Sequence, residues 1–386
     1  MTGALIELAI AVLALLIWIG MLVVRGGFWL ARERDTCDLP PEPTDWPDVV
    51  AVVPARDEAD VIARAIGSLA AQDYPGRFGI ILVDDSSSDG TADVARQAAR
   101  DAGGHPLEIV TGQPLPSGWT GKLWAVSQGV AAAGGGPHYL WLTDADIAHA
   151  PDTLRSLVAR AEAGGLVLTS LMAKLRCDTF AERALIPAFV FFFQMLYPFA
   201  RVNRPGRMAA AAGGCMLARR DALERAGGIA AIRGALIDDC TFGALMKREG
   251  PIWLGLTDRS RSIRPYDGWG EIAAMISRSA YAQLGYSPWA LLGTLIGMAL
   301  VYLAPPVLAF AGGYPLIWGM ALAAWVLMTI AFQPMLRFYH RSPLWGIALP
   351  LIAAFYAGCT FLSAWQHWRG RGGMWKGRAQ AARAGG

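Results

Sequence analysis

The stretch GIILVDDSSSDGT, residues 79–91, decides the fold. Its apolar start is typical of a buried strand, and the Asp, Ser and Thr residues after it are those that commonly begin a helix. The same succession recurs on both sides: VVAVVPA at residues 49–55 and YLWLTDAD at residues 139–146 each precede a helical stretch. A shorter strand is predicted at residues 107–110. Strands that alternate with helices predict an α/β fold with a mostly parallel, Rossmann-like sheet.

Acidic residues follow two of these strands, Asp84 and Asp85 after one, Asp144 and Asp146 after the other. Ligands of an open parallel sheet bind beyond the carboxyl ends of its strands, so we expect these carboxylates to converge on one crevice. Asp-x-Asp supplies two hard oxygen ligands from one turn, which suits Mg²⁺ or Mn²⁺. The pattern predicts a divalent cation that holds a substrate diphosphate. A solvated turn is the competing interpretation of residues 144–146.

The composition indicates a protein that lies partly in lipid. Of 386 residues, 54% are hydrophobic and 17% are charged, whereas about a quarter are charged in an ordinary soluble protein. With 34 basic and 31 acidic residues the formal net charge is +3, which lacks the strong basic excess of a nucleic-acid-binding protein. The five cysteines contain no C-x-x-C pair, so neither a disulfide framework nor a zinc site is predicted.

Membrane segments are predicted at both ends of the chain. Arg337 and Arg341 are the only Asp, Glu, Lys or Arg residues between residues 288 and 366. Three apolar stretches there, at residues 289–310, 316–336 and 344–364, are each long enough to cross ~30 Å of hydrocarbon. Two further segments are apolar. The first, residues 4–24, is followed by Arg25, Arg32 and Arg34. By the positive-inside rule, these arginines predict a multi-pass protein of the inner membrane with its α/β domain in the cytoplasm.

The second apolar segment, residues 184–200, is short and contains Pro187 and Pro198. We expect it to lie in the membrane interface, with a buried core helix as the alternative. The expected organisation is listed in chain order: an N-terminal anchor at residues 1–30, the cytoplasmic domain at 48–265 including 184–200, a linker or interfacial region at 266–287, three transmembrane helices at 288–366, and a basic tail at 367–386. The side of the membrane on which the tail lies stays open, because its charge and the number of crossings disagree.

Six ordered motifs resemble those of the family-2 glycosyltransferases, inverting enzymes of the GT-A fold. They are VVPARDE (52–58), VDDSSSDGT (83–91), GK (121–122), TDAD (143–146), GGCMLARRDAL (213–223) and IDD (237–239). The flanking membrane segments and the stretch GWTGKLWA (118–125) look most like the bacterial hopene-associated glycosyltransferases, which are distantly similar to ceramide glucosyltransferases. The resemblance implies a GT-A domain that binds a nucleotide sugar and a divalent metal.

The resemblance also implies roles for individual residues. It assigns to the nucleoside Pro54, Ala55, Glu58, Asp84 and Asp85, and it places Lys122 near the nucleotide. It assigns the ribose and the metal to Asp144 and Asp146, and it makes Asp239 the base. A carboxylate that takes the proton of an acceptor hydroxyl eases attack, and a metal on the diphosphate stabilises the leaving group. Asp238 and Arg278 are secondary candidates for diphosphate or acceptor contacts, and helix capping is the alternative for Asp238 and Asp239.

These observations predict transfer of a single sugar from a nucleotide sugar, in particular a UDP-sugar, to the hydroxyl of a lipid acceptor. The resemblance alone suggests a hopanoid. Processive polysaccharide synthases carry Q-x-x-R-W before their membrane helices, whereas this chain reads SRSAYAQLGY at residues 277–286, which argues against a polymer product. A polyprenyl-phosphate sugar synthase and a non-catalytic nucleotide-binding membrane scaffold remain as alternatives. His105, His138 and His149 are expected at the surface.

Overall fold

The computed structural model describes residues 2–37, 39–370, 374–375 and 378–379. The chain divides into two compact units. The sheet unit comprises Arg32–Arg176 and Arg201–Pro265, and the helical unit comprises Cys177–Ala200 together with the described residues up to Ala31 and from Tyr266 to Gly370. Most of the predicted basic tail, residues 367–386, lies outside the described residues. Its described parts include two short antiparallel strands, Met374–Trp375 and Arg378–Ala379.

Eight strands form the sheet of the first unit. They are β1 (Val49–Ala55), β2 (Phe78–Asp84), β3 (Leu107–Thr111), β4 (Tyr139–Leu142), β5 (Ile147–His149), β6 (Leu168–Lys174), β7 (Met216–Arg219) and β8 (Ile252–Ser262). Their order across the sheet is β3-β2-β1-β4-β7-β6-β8-β5. The strands β3, β2, β1 and β4 are mutually parallel, and β8 is parallel to β6. The predicted α/β class is therefore confirmed, with a mixed sheet because β7 and β5 run antiparallel to their neighbours.

The α-helices of the described residues are listed in chain order: α1 (Thr2–Val24), α2 (Ile62–Ala70), α3 (Thr91–Ala102), α4 (Gly121–Ala132), α5 (Thr153–Gly164), α6 (Phe180–Leu196), α7 (Phe199–Val202), α8 (Arg220–Arg225), α9 (Asp238–Met246), α10 (Trp269–Ser277), α11 (Ala280–Gln283), α12 (Pro288–Met298), α13 (Ala304–Ala311), α14 (Pro315–Phe338) and α15 (Leu349–Trp368). A π-helical turn, Ala299–Leu303, joins α12 to α13. The helix expected after GIILVDDSSSDGT thus begins at Thr91, where that motif ends.

The core of the sheet unit lies on the central parallel strands. Val53, Leu82 and Trp141, from β1, β2 and β4, are fully buried, as expected for strands of a parallel sheet with both faces covered. The chain leaves β1 toward β2 and β3 on one side, and it places β4 on the other side. The strand order therefore reverses between β1 and β4, and such a switch point opens a crevice at the carboxyl ends of the two strands.

Helix α4 is held close to this crevice. The side chain of Thr120 caps the helix by accepting a hydrogen bond from the backbone N–H of Leu123, at 3.4 Å. Gly129 lies against the sheet, where a Cβ would collide with the side chain of Val52. Because only glycine allows this approach, the first turn of α4 and its Lys122 lie near the ends of the central strands.

In the described part of the chain, five helices are long and apolar enough to cross a membrane, by length and composition. They are Thr2–Val24, Phe180–Val202, Pro288–Ala311, Pro315–Phe338 and Leu349–Trp368. The first and the last three correspond to the four crossings expected from sequence. The final helix begins later than expected, because Pro343–Gly346 forms a separate 3₁₀ turn. The membrane assignment itself stays a prediction.

The segment at residues 184–200 is divided between helices α6 and α7. Helix α6 begins at Phe180 and continues through Pro187, which lies in its interior, and it ends at Leu196, before Pro198. A capping box starts it: Thr179 Oγ1 accepts from the N–H of Glu182, and Glu182 Oε2 accepts from the N–H of Thr179. The segment belongs to the helical unit rather than to the sheet unit. Its predicted location in the membrane interface is still a prediction.

Candidate active site

A hollow opens at the switch point between β1 and β4 and encloses about 340 Å³ of space, part of it open to solvent. It is lined by Pro54, Lys122, Leu123, Val126, Leu142, Thr143, Asp144, Gly213, Met216, Ile229, Ile232, Asp238 and Phe242. Apolar side chains form most of the lining, and the charged side chains are Lys122, Asp144 and Asp238. The structure thus brings residues from five of the six sequence motifs to one place.

Lys122 is the electrostatic centre of this hollow. Its Nζ lies 2.8 Å from Oδ1 of Asp144 and 3.0 Å from Oδ2 of Asp238. Burial opposes the charge on Lys122, but the two carboxylates outweigh it and raise the pKa of the ammonium. Burial also raises the pKa of Asp144, and the neighbouring Asp146 and Asp238 add to this against the effect of Lys122. One ammonium therefore faces more negative charge than it can neutralise.

Asp239 lies beside this cluster, in the first turn of α9. Its Oδ1 accepts a hydrogen bond from the N–H of Cys240 at 2.7 Å, and its Oδ2 accepts from the N–H of Gly213 at 3.3 Å. A Cβ on Gly213 would lie 3.4 Å from Nζ of Lys122 and 3.5 Å from Cβ of Asp239, so the three residues adjoin one another. Burial and the charge of Asp238 raise the pKa of Asp239 to about 6, although Lys122 and the two N–H groups oppose them.

The alternative role as helix caps applies to the two acids unequally. Helix α9 begins at Asp238 itself, and Ile237 occupies the N-cap position without a side-chain hydrogen bond. One oxygen of Asp239 binds an N–H of the first helical turn, as in capping, while its other oxygen faces Gly213. The carboxylate of Asp238 instead pairs with Lys122. Asp239 thus combines a structural contact with a position in the site.

A second ion-pair group involves Asp146, Glu58 and Arg264. The Nε of Arg264 donates to Oδ2 of Asp146 at 3.0 Å, and its Nη2 donates to Oε2 of Glu58 in a short contact. Burial opposes the charge on Arg264, but the two carboxylates raise its pKa above the ordinary value. Sequence reasoning missed Arg264. It follows β8, so the rule that ligands bind at strand ends would have found it if β8 had been predicted.

Asp84 and Asp85 are held by the loops after β1 and β2. Nη1 of Arg56 donates to the backbone oxygen of Asp85 at 2.6 Å and lies 3.6 Å from its Oδ2. The N–H of Asp85 donates to the carbonyl of Ala55 at 2.8 Å, and Oδ1 of Asp84 accepts from the N–H of Ser87 at 3.0 Å. The carboxylate of Asp85 therefore faces Arg56 and does not join the cluster around Lys122.

Arg278, a secondary candidate, directly follows α10 and is exposed. It belongs to the helical unit, whereas the hollow lies in the sheet unit. Its contact with a diphosphate or an acceptor stays a prediction.

His149 is buried, 6% exposed, and not at the surface as expected from sequence. The hydroxyl of Thr143 donates to the carbonyl of Gly214 at 2.8 Å, so it accepts the hydrogen bond from Nε2 of His149 at 2.9 Å. Nδ1 of the ring then accepts from the hydroxyl of Ser260, at 2.9 Å. Burial lowers the pKa of His149 to about 3, so the ring is neutral. The ring thus connects Thr143, at the end of β4, to Ser260 in β8, and Thr143 in turn is bonded to Gly214.

We expect protein stability to fall as the pH falls below 6.5, because the unfolded chain then protonates His149 and the folded protein, with a pKa of about 3, does not. The contribution is fully present above pH 6.5, and each pH unit below it costs up to about 1.4 kcal/mol. The Tm of the purified protein at neutral pH and near pH 5 measures the effect. His149→Gln is the comparison, because Gln keeps a donor and an acceptor but does not titrate. An equal loss of Tm in both proteins would contradict this role.

The donor atoms near Asp144 and Asp146 determine whether the site fits the divalent cation predicted from Asp-x-Asp. Among the described residues, no three His, Cys, Asp or Glu side chains are grouped so that they could hold a metal ion. Asp144 and Asp146 offer carboxylate oxygens, but Lys122 and Arg264 already pair with them. Mg²⁺ is commonly held by one or two carboxylates together with substrate phosphates. The residues therefore fit a cation that binds together with a diphosphate, and not one bound by the protein alone.

Comparison with known proteins gives a family match to part of the chain. Residues 50–227 match the family model described as Glycosyl transferase family 2. No curated protein matches the chain. A mannosyltransferase of Pyrobaculum calidifontis, solved with GDP-Man and Mn²⁺, is 19% identical with a TM-score of 0.58, and the match covers 93% of this chain and 99% of that one. This likeness shows the fold, which is that of a GT-A domain.

Two further solved structures are less similar. Glucosyl-3-phosphoglycerate synthase of Mycobacterium tuberculosis, solved with Mn²⁺ and UDP-glucose, is 18% identical with a TM-score of 0.39, over 62% of this chain and 78% of that one. TarS of S. aureus, solved with UDP-GlcNAc, is 14% identical with a TM-score of 0.37, over 84% of this chain and 92% of that one.

Proposed function

We propose that this protein, whose residues 50–227 match the model of glycosyl transferase family 2, transfers one sugar from a UDP-sugar to a hydroxyl of a lipid acceptor, with inversion at the anomeric carbon. The observation that carries the proposal is the Asp239 carboxyl. Two backbone N–H groups hold it beside Lys122, and burial raises its pKa to about 6. Such a carboxylate is ionised at pH 7 and is a better proton acceptor than an ordinary one.

In the proposed reaction, the acceptor oxygen forms a bond to the anomeric carbon while the bond from that carbon to the diphosphate breaks. The proton of the acceptor hydroxyl moves to the Asp239 carboxylate, and the electron pair of the broken bond leaves with the diphosphate. The ammonium of Lys122, which lies among Asp144 and Asp238, stabilises the negative charge that develops on this leaving group. A divalent cation bound by Asp144 and Asp146 together with the diphosphate would supply further charge stabilisation there.

The donor's nucleoside is proposed to bind at the ends of β1 and β2, at Pro54, Ala55, Glu58, Asp84 and Asp85. Two features support this location. Pro54 lines the same hollow as Lys122 and Asp144. The loops after β1 and β2 are also tied to each other by the contacts of Arg56 and Ala55 with Asp85, so both are positioned before a ligand arrives.

The lipid acceptor is supported by the helical unit. Five helices of the described chain are apolar enough to cross a membrane, so these helices and a lipid acceptor would share one bilayer. The basic residues after α1, Arg25, Arg32 and Arg34, favour an inner-membrane protein with the site in the cytoplasm, where nucleotide sugars are made. A hopanoid-like terpenoid alcohol is the acceptor that we would test first, on resemblance alone.

The test uses the full-length protein in detergent with UDP-glucose, UDP-GlcNAc or GDP-mannose, and with a terpenoid alcohol or a polyprenyl phosphate as acceptor. An acid-stable glycolipid is expected. An acid-labile sugar phosphate would instead identify a polyprenyl-phosphate sugar synthase, whose ionised acceptor needs no base. Binding of UDP without turnover on any acceptor would contradict the proposal and would favour a non-catalytic scaffold.

The pH dependence of kcat provides a further prediction. Because the base must be ionised, kcat should rise with pH through about 6, the pKa of Asp239, and level off above pH 7. Initial rates at saturating substrates between pH 5 and 8 measure this profile. The residual activity of Asp239→Asn should lack the rise. A rise of the same size in that variant would contradict Asp239 as the titrating group.

A further inference from the structure

Arg264 connects two motifs that are far apart in the sequence. It bridges Glu58, which follows β1, and Asp146, which follows β4, through two charge-assisted hydrogen bonds. Glu58 is 7% exposed, and the Arg264 and Asp146 side chains are 27% and 21% exposed. All three belong to the sheet unit. A guanidinium so placed between two largely buried carboxylates compensates charge that would otherwise be costly to bury.

The same contacts interfere with cation binding. Oδ2 of Asp146, which accepts from Arg264, is one of the oxygens through which the Asp-x-Asp pair would bind a divalent ion. An arginine cannot lose its proton in a protein, so a partly buried guanidinium that leaves a carboxylate is best stabilised by another anionic partner. A diphosphate is such a partner, because a guanidinium binds phosphate oxygens with the same bidentate geometry that it uses for carboxylates.

We propose that Arg264 is a built-in counter-cation of the donor site, which keeps divalent ions from Asp146 until a nucleoside diphosphate arrives. In the donor-free protein Arg264 holds Glu58 and Asp146. When the diphosphate binds, the guanidinium exchanges at least its contact with Asp146 for phosphate oxygens, and the freed carboxylate accepts the metal. This inference rests on the proposed function for the identity of the diphosphate, but the competition between Arg264 and the metal does not.

The exchange of partners by Arg264 predicts that the diphosphate and the metal affect each other's affinity. If the diphosphate removes a competitor of the metal, then the diphosphate raises metal affinity and the metal raises diphosphate affinity by the same factor. Removal of Arg264 should therefore strengthen metal binding in the absence of nucleotide, and it should reduce the factor by which nucleotide improves metal binding.

The experiment measures Mn²⁺ binding to the full-length protein in detergent, from the electron paramagnetic resonance signal of free Mn²⁺, with and without UDP or GDP. Without nucleotide, Arg264→Gln should bind Mn²⁺ about tenfold more tightly than the wild type, and Arg264→Lys should be intermediate because Lys reaches one carboxylate at a time. Arg261→Gln is the matched control. Arg261 is exposed near the end of β8, three residues before Arg264, and bonds to the backbone oxygen of Asp258, so its replacement should leave Mn²⁺ binding unchanged.

Equal nucleotide-free Mn²⁺ affinity in the wild type, Arg264→Gln and Arg264→Lys would overturn the inference. Tight Mn²⁺ binding by the wild type without nucleotide would do the same. If Arg264→Gln does not fold, as shown by its Tm, the Lys variant decides the question. If neither UDP nor GDP binds the wild type, the proposed function fails, whereas a gain in nucleotide-free Mn²⁺ affinity would still support the counter-cation.

Discussion

Asp239→Asn should lower kcat by about 10³-fold while changing the Kd for UDP by no more than about twofold. The amide cannot take the acceptor proton, so the transition state loses its base, whereas the nucleotide is proposed to bind at the ends of β1 and β2. Part of the loss will be structural. The Asp239 carboxylate has two acceptor oxygens, whereas an amide has one oxygen and one NH₂ group. In the variant, the N–H of either Cys240 or Gly213 would therefore face an NH₂ group.

Two further variants separate these contributions. Asp239→Glu keeps the charge and moves the carboxylate, so it should retain more activity than the Asn variant. Asp221→Asn is the matched control, because it makes the same substitution at the surface, where Asp221 forms ion pairs with Arg219 and Arg225. Its kcat should equal that of the wild type. If Asp239→Asn kept more than about a tenth of the wild-type kcat, Asp239 would not be the base.

Lys122→Met should have the second largest effect, a fall in kcat/KM of about 10²-fold to 10³-fold. The variant removes the cation that lies between Asp144 and Asp238 and that is proposed to face the departing diphosphate. It also removes a charge that lowers the pKa of Asp239. The remaining activity should therefore rise with pH at a higher value than about 6, because the base is then harder to ionise.

Steady-state kinetics between pH 6 and 9 measure both parts of this prediction. Lys122→Arg keeps the charge and should leave the pH profile close to that of the wild type, even if its larger head group lowers kcat. A Lys122→Met profile with an unchanged midpoint would show that Lys122 does not influence the base. In that case its contact with Asp144 and Asp238 would have a structural role alone.

The parallel half of the sheet follows closely from local sequence. The apolar runs at β1, β2 and β4 are buried on both faces, and such strands show as continuous hydrophobic stretches. Turn residues after them predicted where helices begin, and Thr91 is an example. The second half of the sheet was harder to predict from the sequence. After β6 the chain leaves the sheet for Cys177–Ala200 and returns as the antiparallel strand β7, which interrupts the alternation of strands and helices.

The acids of the candidate site and Lys122 were identified from the sequence, whereas Arg264 and the burial of His149 were not. Acids after parallel strands share an edge of the sheet, so the neighbourhood of Asp144 follows from topology. The identity of each carboxylate's partner does not. Glu58 and Arg264 are separated by 206 positions, and His149 is buried although its sequence context resembles an exposed loop. Only the path of β8 brings Arg264 and Ser260 beside them.

The order of apolar runs, turn residues and acids along this chain was enough to predict an α/β domain with an acidic crevice and several apolar helices, and only the family resemblance added a nucleotide sugar. Those features are local: burial of a strand, capping of a helix and the length needed to cross a bilayer each depend on neighbouring residues. The charge balance of the site required the folded protein. Whether Asp146 faces a metal or Arg264, and whether Asp239 has an ordinary or a raised pKa, depends on distances between residues from separate elements, since electrostatic energy varies with separation and burial.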